Sequence, residues 1–182
     1  MDKKEQILRQ RAIETAKKFE MKNTGEGIDV VCFMLEDEKY AIEVLMVSEV
    51  HTFVQPTPIP HTPPYIIGII YLRGRFVSVV DLKHFLGMKE KNTENTSSLL
   101  LLSYGVMEFA VTVDTVLEKI KLSKQIIQDI PSGFHLPRKE LIYGITEKGT
   151  IMLDGKKLIA DPEMKLYQEV NTRYTRREQD VQ

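Results

Sequence analysis

Between Tyr65 and Gly87 the chain reads YIIGIIYLRGRFVSVVDLKHFLG, and few structures accommodate such a run. Ile66-Ile67-Gly68-Ile69-Ile70-Tyr71 and Arg75-Phe76-Val77-Ser78-Val79-Val80 read as two short apolar strands meeting at a polar corner, Leu72-Arg73-Gly74. Gly74 takes a positive φ without steric cost, as a tight reversal requires, so Arg73 is expected at the exposed tip of a hairpin. A guanidinium fixed there suits recognition of carboxylates and carbonyls. Asp81-Leu82 then opens a short helical segment with Asp81 as its N-cap. Pro63-Pro64 holds the entry extended.

The same grammar of short apolar runs and turn residues recurs along the chain. Strands begin at Ile28: the run through Val30 to Leu35, a charged turn at Glu36-Asp37-Glu38-Lys39 and Tyr40-Ala41-Ile42-Glu43-Val44 form one predicted hairpin. A short helix or turn at 45–50 leads into a strand at 51–54, and Gln55-Pro56-Thr57-Pro58-Ile59-Pro60 is too proline-rich for a regular ladder. Strands follow at 98–104, 107–113 and 116–122, with Gly105 at a turn between the first two. A last hairpin pairs 141–146 with 150–154 around Lys148-Gly149, and 155–160 is a short helix or turn. Many short strands spaced by turns point to a barrel or sandwich. The halves echo one another in outline, from Gly68 to Val80-Asp81 and from Gly144 to Leu153-Asp154, although no sequence repeat is apparent.

The flanks differ from this middle. Ile7, Leu8, Ala12, Ile13, Ala16 and Phe19 recur at helical spacing over residues 4–20, and Asn23-Thr24-Gly25-Glu26-Gly27 reads as a linker. The simplest expectation is a helix that packs on its own domain. Residues 161–182 are polar and charged, with Arg173, Arg176 and Arg177 beside Glu178 and Asp180, as suits a helix fraying into a solvated tail. The expected organisation is thus 1–27 as helical extension and linker, 28–160 as the folded domain, and 161–182 as C-terminal helix and tail.

A net charge of −1 points neither to nucleic acid nor to an anionic membrane. A single cysteine, Cys32, excludes a disulfide framework or a thiolate metal site within one chain, and its strand context reads as core. No apolar run is long enough to cross a bilayer and the N-terminus lacks a secretory core, so the cytoplasm is expected, with no direct membrane insertion. No nucleotide-binding glycine loop, nucleophile elbow or zinc-helix motif is present. The histidines, His51, His61, His84 and His135, make no metal-spaced pair. Asp81, Asp114 and Asp154 each follow an apolar run; capping and turn bonding explain them more simply than acid–base chemistry. Neither a cofactor nor a metal is expected. Capping accounts for neither Arg73 nor Glu49.

Taken together, these residues resemble the CheW family of chemotaxis coupling proteins. The resemblance rests on Gly68-Ile69, Leu72-Arg73-Gly74 and Asp81-Leu82, and on Tyr40-Ala41-Ile42-Glu43-Val44 followed by Val47-Ser48-Glu49-Val50. Val113-Asp114-Thr115-Val116, Gly144-Ile145 and Leu153-Asp154 with Lys157-Leu158 extend it over residues 28–160. Tyr71 stands where the family has Asn, and Ser78 where it has Pro. The resemblance implies an all-β fold: two SH3-like five-stranded β-barrels side by side, with a groove between them, short helices, and helical extensions at both ends. It implies a non-catalytic, cytoplasmic scaffold at the receptor array. The scaffold would couple the cytoplasmic tip of methyl-accepting chemoreceptors to the regulatory domain of a CheA-type histidine kinase, whose contact residues stay unassigned. Arg73, Glu49, Ile42, Val44 and Val47 are the implied receptor-binding residues. The alternatives are a coupling module of a non-motility pathway and a small hydrolase using groove Asp and His residues.

Overall fold

A computed structural model describes residues 27–88, 96–130 and 137–164. The first hairpin, β1 (Gly27–Leu35) and β2 (Glu38–Glu43), runs through a 3-10 turn at Val44–Met46 into β3 (Val47–Thr52). The second, β4 (Ile66–Leu72) and β5 (Arg75–Asp81), ends in the one-turn helix α1 (Leu82–Phe85). After it come β6 (Ser98–Tyr104), β7 (Met107–Val113), β8 (Thr115–Ser123) and the two-residue β9 (Ile127–Gln128). A final hairpin, β10 (Ile142–Thr146) and β11 (Ile151–Leu153), leads into α2 (Gly155–Ala160). Asp81 and Asp154 cap the two helices, accepting from the backbone N–H of His84 (3.1 Å) and Lys157 (3.0 Å). The expected helix over 4–20, the loop at 131–133 and the tail beyond residue 164 lie outside the described residues.

The strands form two antiparallel-rich sheets, one ordered β8-β1-β2-β11-β10-β9 and the other β3-β6-β7-β5-β4. Each has five principal strands, as expected for a pair of small barrels; β9 adds a two-residue edge strand that no apolar run announces. We term the first sheet and α2 lobe 1, and the second and α1 lobe 2. Chain order does not follow the lobes. β1 and β2 build lobe 1, the chain crosses to lay down β3 to β7 in lobe 2, and it returns with β8.

That path makes the echo between the halves structural. In both, a hairpin is followed by a strand that joins the other lobe, then by a second hairpin and a capped helix. β5 pairs in parallel with β7 and β11 in parallel with β2. Gly68 and Gly144 occupy matching bulges in β4 and β10. A Cβ on Gly68 would lie 2.2 Å from the Thr57 carbonyl oxygen, and one on Gly144 would lie 2.7 Å from that of Gln128. Each glycine therefore admits a short extended segment against the sheet edge: Thr57 opposite Ile69 in lobe 2, β9 opposite β10 in lobe 1.

The largest apolar cluster lies between the lobes. It joins Phe33, Leu35, Tyr40 and Ile42 of lobe 1 to Leu100, Leu102, Phe109 and Val111 of lobe 2. Each sheet also buries its other face, through Leu99, Leu101, Val77 and Val79 in lobe 2 and through Val30, Cys32, Ala41 and Met152 in lobe 1. Burial on both faces explains why β6 carries four consecutive leucines instead of alternating with polar residues. Two polar clamps reinforce this interface. Lys83 of α1 reaches Glu36 in the β1–β2 turn (2.6 Å) and Asp114 at the β7–β8 crossover (2.7 Å). Arg138 of lobe 1 stacks over the Phe85 ring of α1 (4.3 Å) while paired with Asp161 and Glu163.

Candidate functional site

Arg73 and Gly74 are the two central residues of the β4–β5 turn, which Leu72 and Arg75 close as register partners. Their φ values, +49° and +84°, are both left-handed. This is the signature of a type I′ turn, whose twist matches that of the flanking strands. Gly74 adopts this conformation freely, whereas Arg73 pays on the order of 1 kcal/mol for it. The Arg73 side chain is 70% exposed, and its Nη1 donates to Glu49 Oε1 at 2.7 Å. The other carboxylate oxygen, Glu49 Oε2, lies 2.7 Å from His51 Nε2.

Glu49 is aimed by its strand. β3 pairs with β6, and a register shift between Val47 and Glu49 leaves Ser48 as the extra residue, its Oγ donating to the Leu101 carbonyl. Glu49 is consequently only 18% exposed, held between two cationic or donating side chains from different parts of lobe 2. Beside this triad lies a half-open cleft of about 490 Å³, lined by His51, Thr52, Val54, Tyr71, Phe76 and neighbours. Tyr71 and Phe76 face each other across β4 and β5, with ring centroids 5.2 Å apart, and both are largely exposed.

The five residues singled out in the sequence divide into three groups. Arg73 and Glu49 are in direct contact. Val44 and Val47 are half-buried next to them in the chain, Val47 against the shared core. Ile42 is 1% exposed and belongs to that core, where it packs below Gly155 and offers no surface to a partner. Its strand reads Tyr40-Ala41-Ile42, all buried, because β2 is covered on both faces. His51 follows Glu49 by two residues on β3 and shares its face by strand alternation, a signal hidden while residues 45–50 read as a helix or turn. Tyr71 and Phe76 were legible as strand residues, yet nothing in their spacing marks them as exposed.

The remaining candidates have structural occupations. Asp81 and Asp154 cap helices, and Asp114 accepts from the Glu36 backbone N–H (2.6 Å) while paired with Lys83. Burial alone would lower the Lys83 pKa, but hydrogen bonds to Asp114 and Glu36 outweigh it and hold the ammonium above its ordinary value. Cys32 is fully buried, and burial pushes its thiol up, away from the reactive thiolate. Among the described residues, no three His, Cys, Asp or Glu side chains gather as a metal site would require. No helix among them is long and apolar enough to cross a membrane.

Residues 29–163 match the family described as the CheW-like domain. The chemotaxis protein CheW of Klebsiella aerogenes is 28% identical over 147 residues, spanning 79% of this chain and 89% of that protein. The CheW of Bacillus subtilis is 31% identical over 110 residues, 60% of this chain and 69% of its own length. Protein FrzA of Myxococcus xanthus is 33% identical over 118 residues, 65% of this chain and 74% of its own. Among solved structures, the scaffolding protein TtCheW of Thermoanaerobacter tengcongensis superposes with a TM-score of 0.62 at 27% identity, covering 70% of this chain and 89% of that one.

Proposed function

The chain belongs to the CheW-like family and is a non-catalytic coupling scaffold of chemotaxis signalling; from that membership we propose that it joins chemoreceptors to a histidine kinase, with lobe 2 as the receptor-facing side. The observation that carries this assignment is Arg73, an arginine kept in a left-handed backbone conformation at a hairpin tip and paired with Glu49. The type I′ turn holds the largely exposed guanidinium at the tip beside its carboxylate, which presents a fixed pair of charges to a docking partner. A receptor's cytoplasmic helical hairpin would lay its tip against Arg73 and Glu49, with Val44 and Val47 as the apolar flank and Ile42 supporting them from the core. The kinase's regulatory domain would pair with the exposed edges of the barrels. Weak contacts of this kind gain strength by repetition in a membrane-associated array.

Titration with a purified receptor cytoplasmic fragment and a purified kinase regulatory domain tests the reading. Both should bind saturably, and Arg73→Glu should weaken the receptor by roughly tenfold or more, about 1.4 kcal/mol, while leaving kinase binding and the fold unchanged. A folded Arg73→Glu variant with full receptor affinity would remove Arg73 from the site.

A further inference from the structure

Nine large apolar side chains stand exposed among the described residues, and only two of them, Leu117 and Tyr143, belong to lobe 1. Three of the others gather at one end of the molecule: Leu45 (85% exposed), Tyr104 (47%) and Val106 (97%). Strand register brings them together. Val47 is opposite Leu102, which carries the preceding 3-10 turn, and Leu45 with it, alongside the end of β6 at Tyr104. Val106 sits in the turn that returns β6 to β7, where Tyr104 is opposite Met107. Lys156 of α2 borders the patch, its Nζ 5.8 Å from the centre of the Tyr104 ring. Gly155 closes it from below, packed so tightly that a Cβ there would lie 2.5 Å from Met46 Cγ.

The segment preceding β1 emerges at this same end. β1 and β2 are antiparallel with Val30 opposite Glu43, so Gly27 lies beyond Glu43, on the side where the chain leaves β2 for Val44–Met46. Residues 1–26 lie before it, outside the described part and outside the CheW-like match that begins at residue 29. In their sequence, Leu8, Ala12, Ala16 and Phe19 share one face at helical spacing, with Ile13 beside them. A helix over 4–20 would be about 25 Å long, and residues 21–26 reach about 20 Å when extended. The patch is within that reach.

We propose that the N-terminal segment of this chain docks its apolar stripe on the Leu45–Tyr104–Val106 patch. The seated segment flanks Val44 and Val47. Resting on the receptor-docking reading above, it therefore competes with a receptor tip for that side of lobe 2.

The test uses the full-length chain carrying a nitroxide on Glu14→Cys, a position on the helix face opposite the stripe. Cys32, fully buried, is not labelled. Docking predicts paramagnetic broadening of the Leu45, Tyr104 and Val106 amide signals at a level independent of protein concentration. The broadening should be lost in Leu8→Asp with Phe19→Asp, and equally in Leu45→Asp with Val106→Asp, where the exposed sites leave the core spectrum intact. Unbroadened patch signals, or broadening unaffected by the patch variants, would overturn the docking. Broadening that grows with concentration would do the same, since it means a second copy supplies the segment. None of these readings involves a receptor, so they stand apart from the proposed function. Adding the receptor cytoplasmic fragment then addresses competition: restored patch signals support it, and a bound fragment with the segment still seated refutes it. A fragment that does not bind at all counts against the receptor reading and leaves the docking untouched.

Discussion

Among the described residues, Arg73 is one of four non-glycine residues with left-handed backbone, together with Glu36, His61 and Arg138. Three of the four hold ion pairs: Arg73 with Glu49, Glu36 with Lys83, and Arg138 with Asp161 and Glu163. Turn conformation thus aims the charges that tie the molecule together. Lys83 is the most consequential, because it is 6% exposed and serves two carboxylates. Lys83→Met would leave both carboxylates buried without their cation, and it should lower stability by roughly 3–5 kcal/mol in a urea titration at pH 8. The pH dependence has a definite sign. The folded-state pKa of Lys83 lies above the ordinary 10.5, so its contribution is full below that value and is lost as pH rises through the folded value. Between pH 8 and 11 the wild-type urea midpoint should therefore fall further than that of Lys83→Met. Glycines also separate cleanly. Gly68→Ala meets the Thr57 carbonyl and should cost more than about 2 kcal/mol, whereas Gly74→Ala meets open space and should cost only about 1 kcal/mol for its positive φ. Comparing their denaturation midpoints checks the ranking.

The strands were legible to within a residue or two wherever an apolar run met turn residues, as in β1, β2, β4 to β7 and β10. β3 was expected at 51–54 and begins instead at Val47, because the 3-10 turn occupies only Val44–Met46. β9 escaped notice because two residues carry no periodicity, and it exists as a strand only through its pairing with β10. Four consecutive leucines in β6 announce burial without saying which face meets which cluster. The structure directs Leu100 and Leu102 into the core between the lobes and Leu99 and Leu101 into that of lobe 2. Both classes should matter: Leu100→Ala and Leu101→Ala are each expected to cost about 2–5 kcal/mol, readable as shifts in the thermal midpoint. An exposed change away from both cores, Lys119→Ala on β8, should lower stability by less than about 0.5 kcal/mol.

The whole molecule is held by an exchange. β3 follows the first hairpin in the chain but completes the sheet of the second half, and β8 does the reverse. Neither half can close its own barrel, and both clamps, Lys83 with Glu36 and Asp114 and Arg138 with Phe85, cross between lobes. The intact chain should unfold in one cooperative step seen identically by far-ultraviolet circular dichroism and tyrosine fluorescence. The separate peptides 27–88 and 98–164 should each be unstructured and should regain β signal on mixing. A half that folds alone would refute the interdependence.

Sequence by itself determined the strand-rich class, the Arg73 tip, the two aspartate caps and the family, because each depends on residues close together in the chain: apolar period, turn chemistry, capping order. Tertiary structure alone decided that Glu49 meets Arg73 across 24 residues, that Ile42 is core, and that Lys83 is buried between Glu36 and Asp114. These contacts depend on which strand lies beside which, and the exchange of β3 and β8 between lobes sets that order. Local propensity is blind to such an exchange, since a strand has the same preferences whichever sheet receives it.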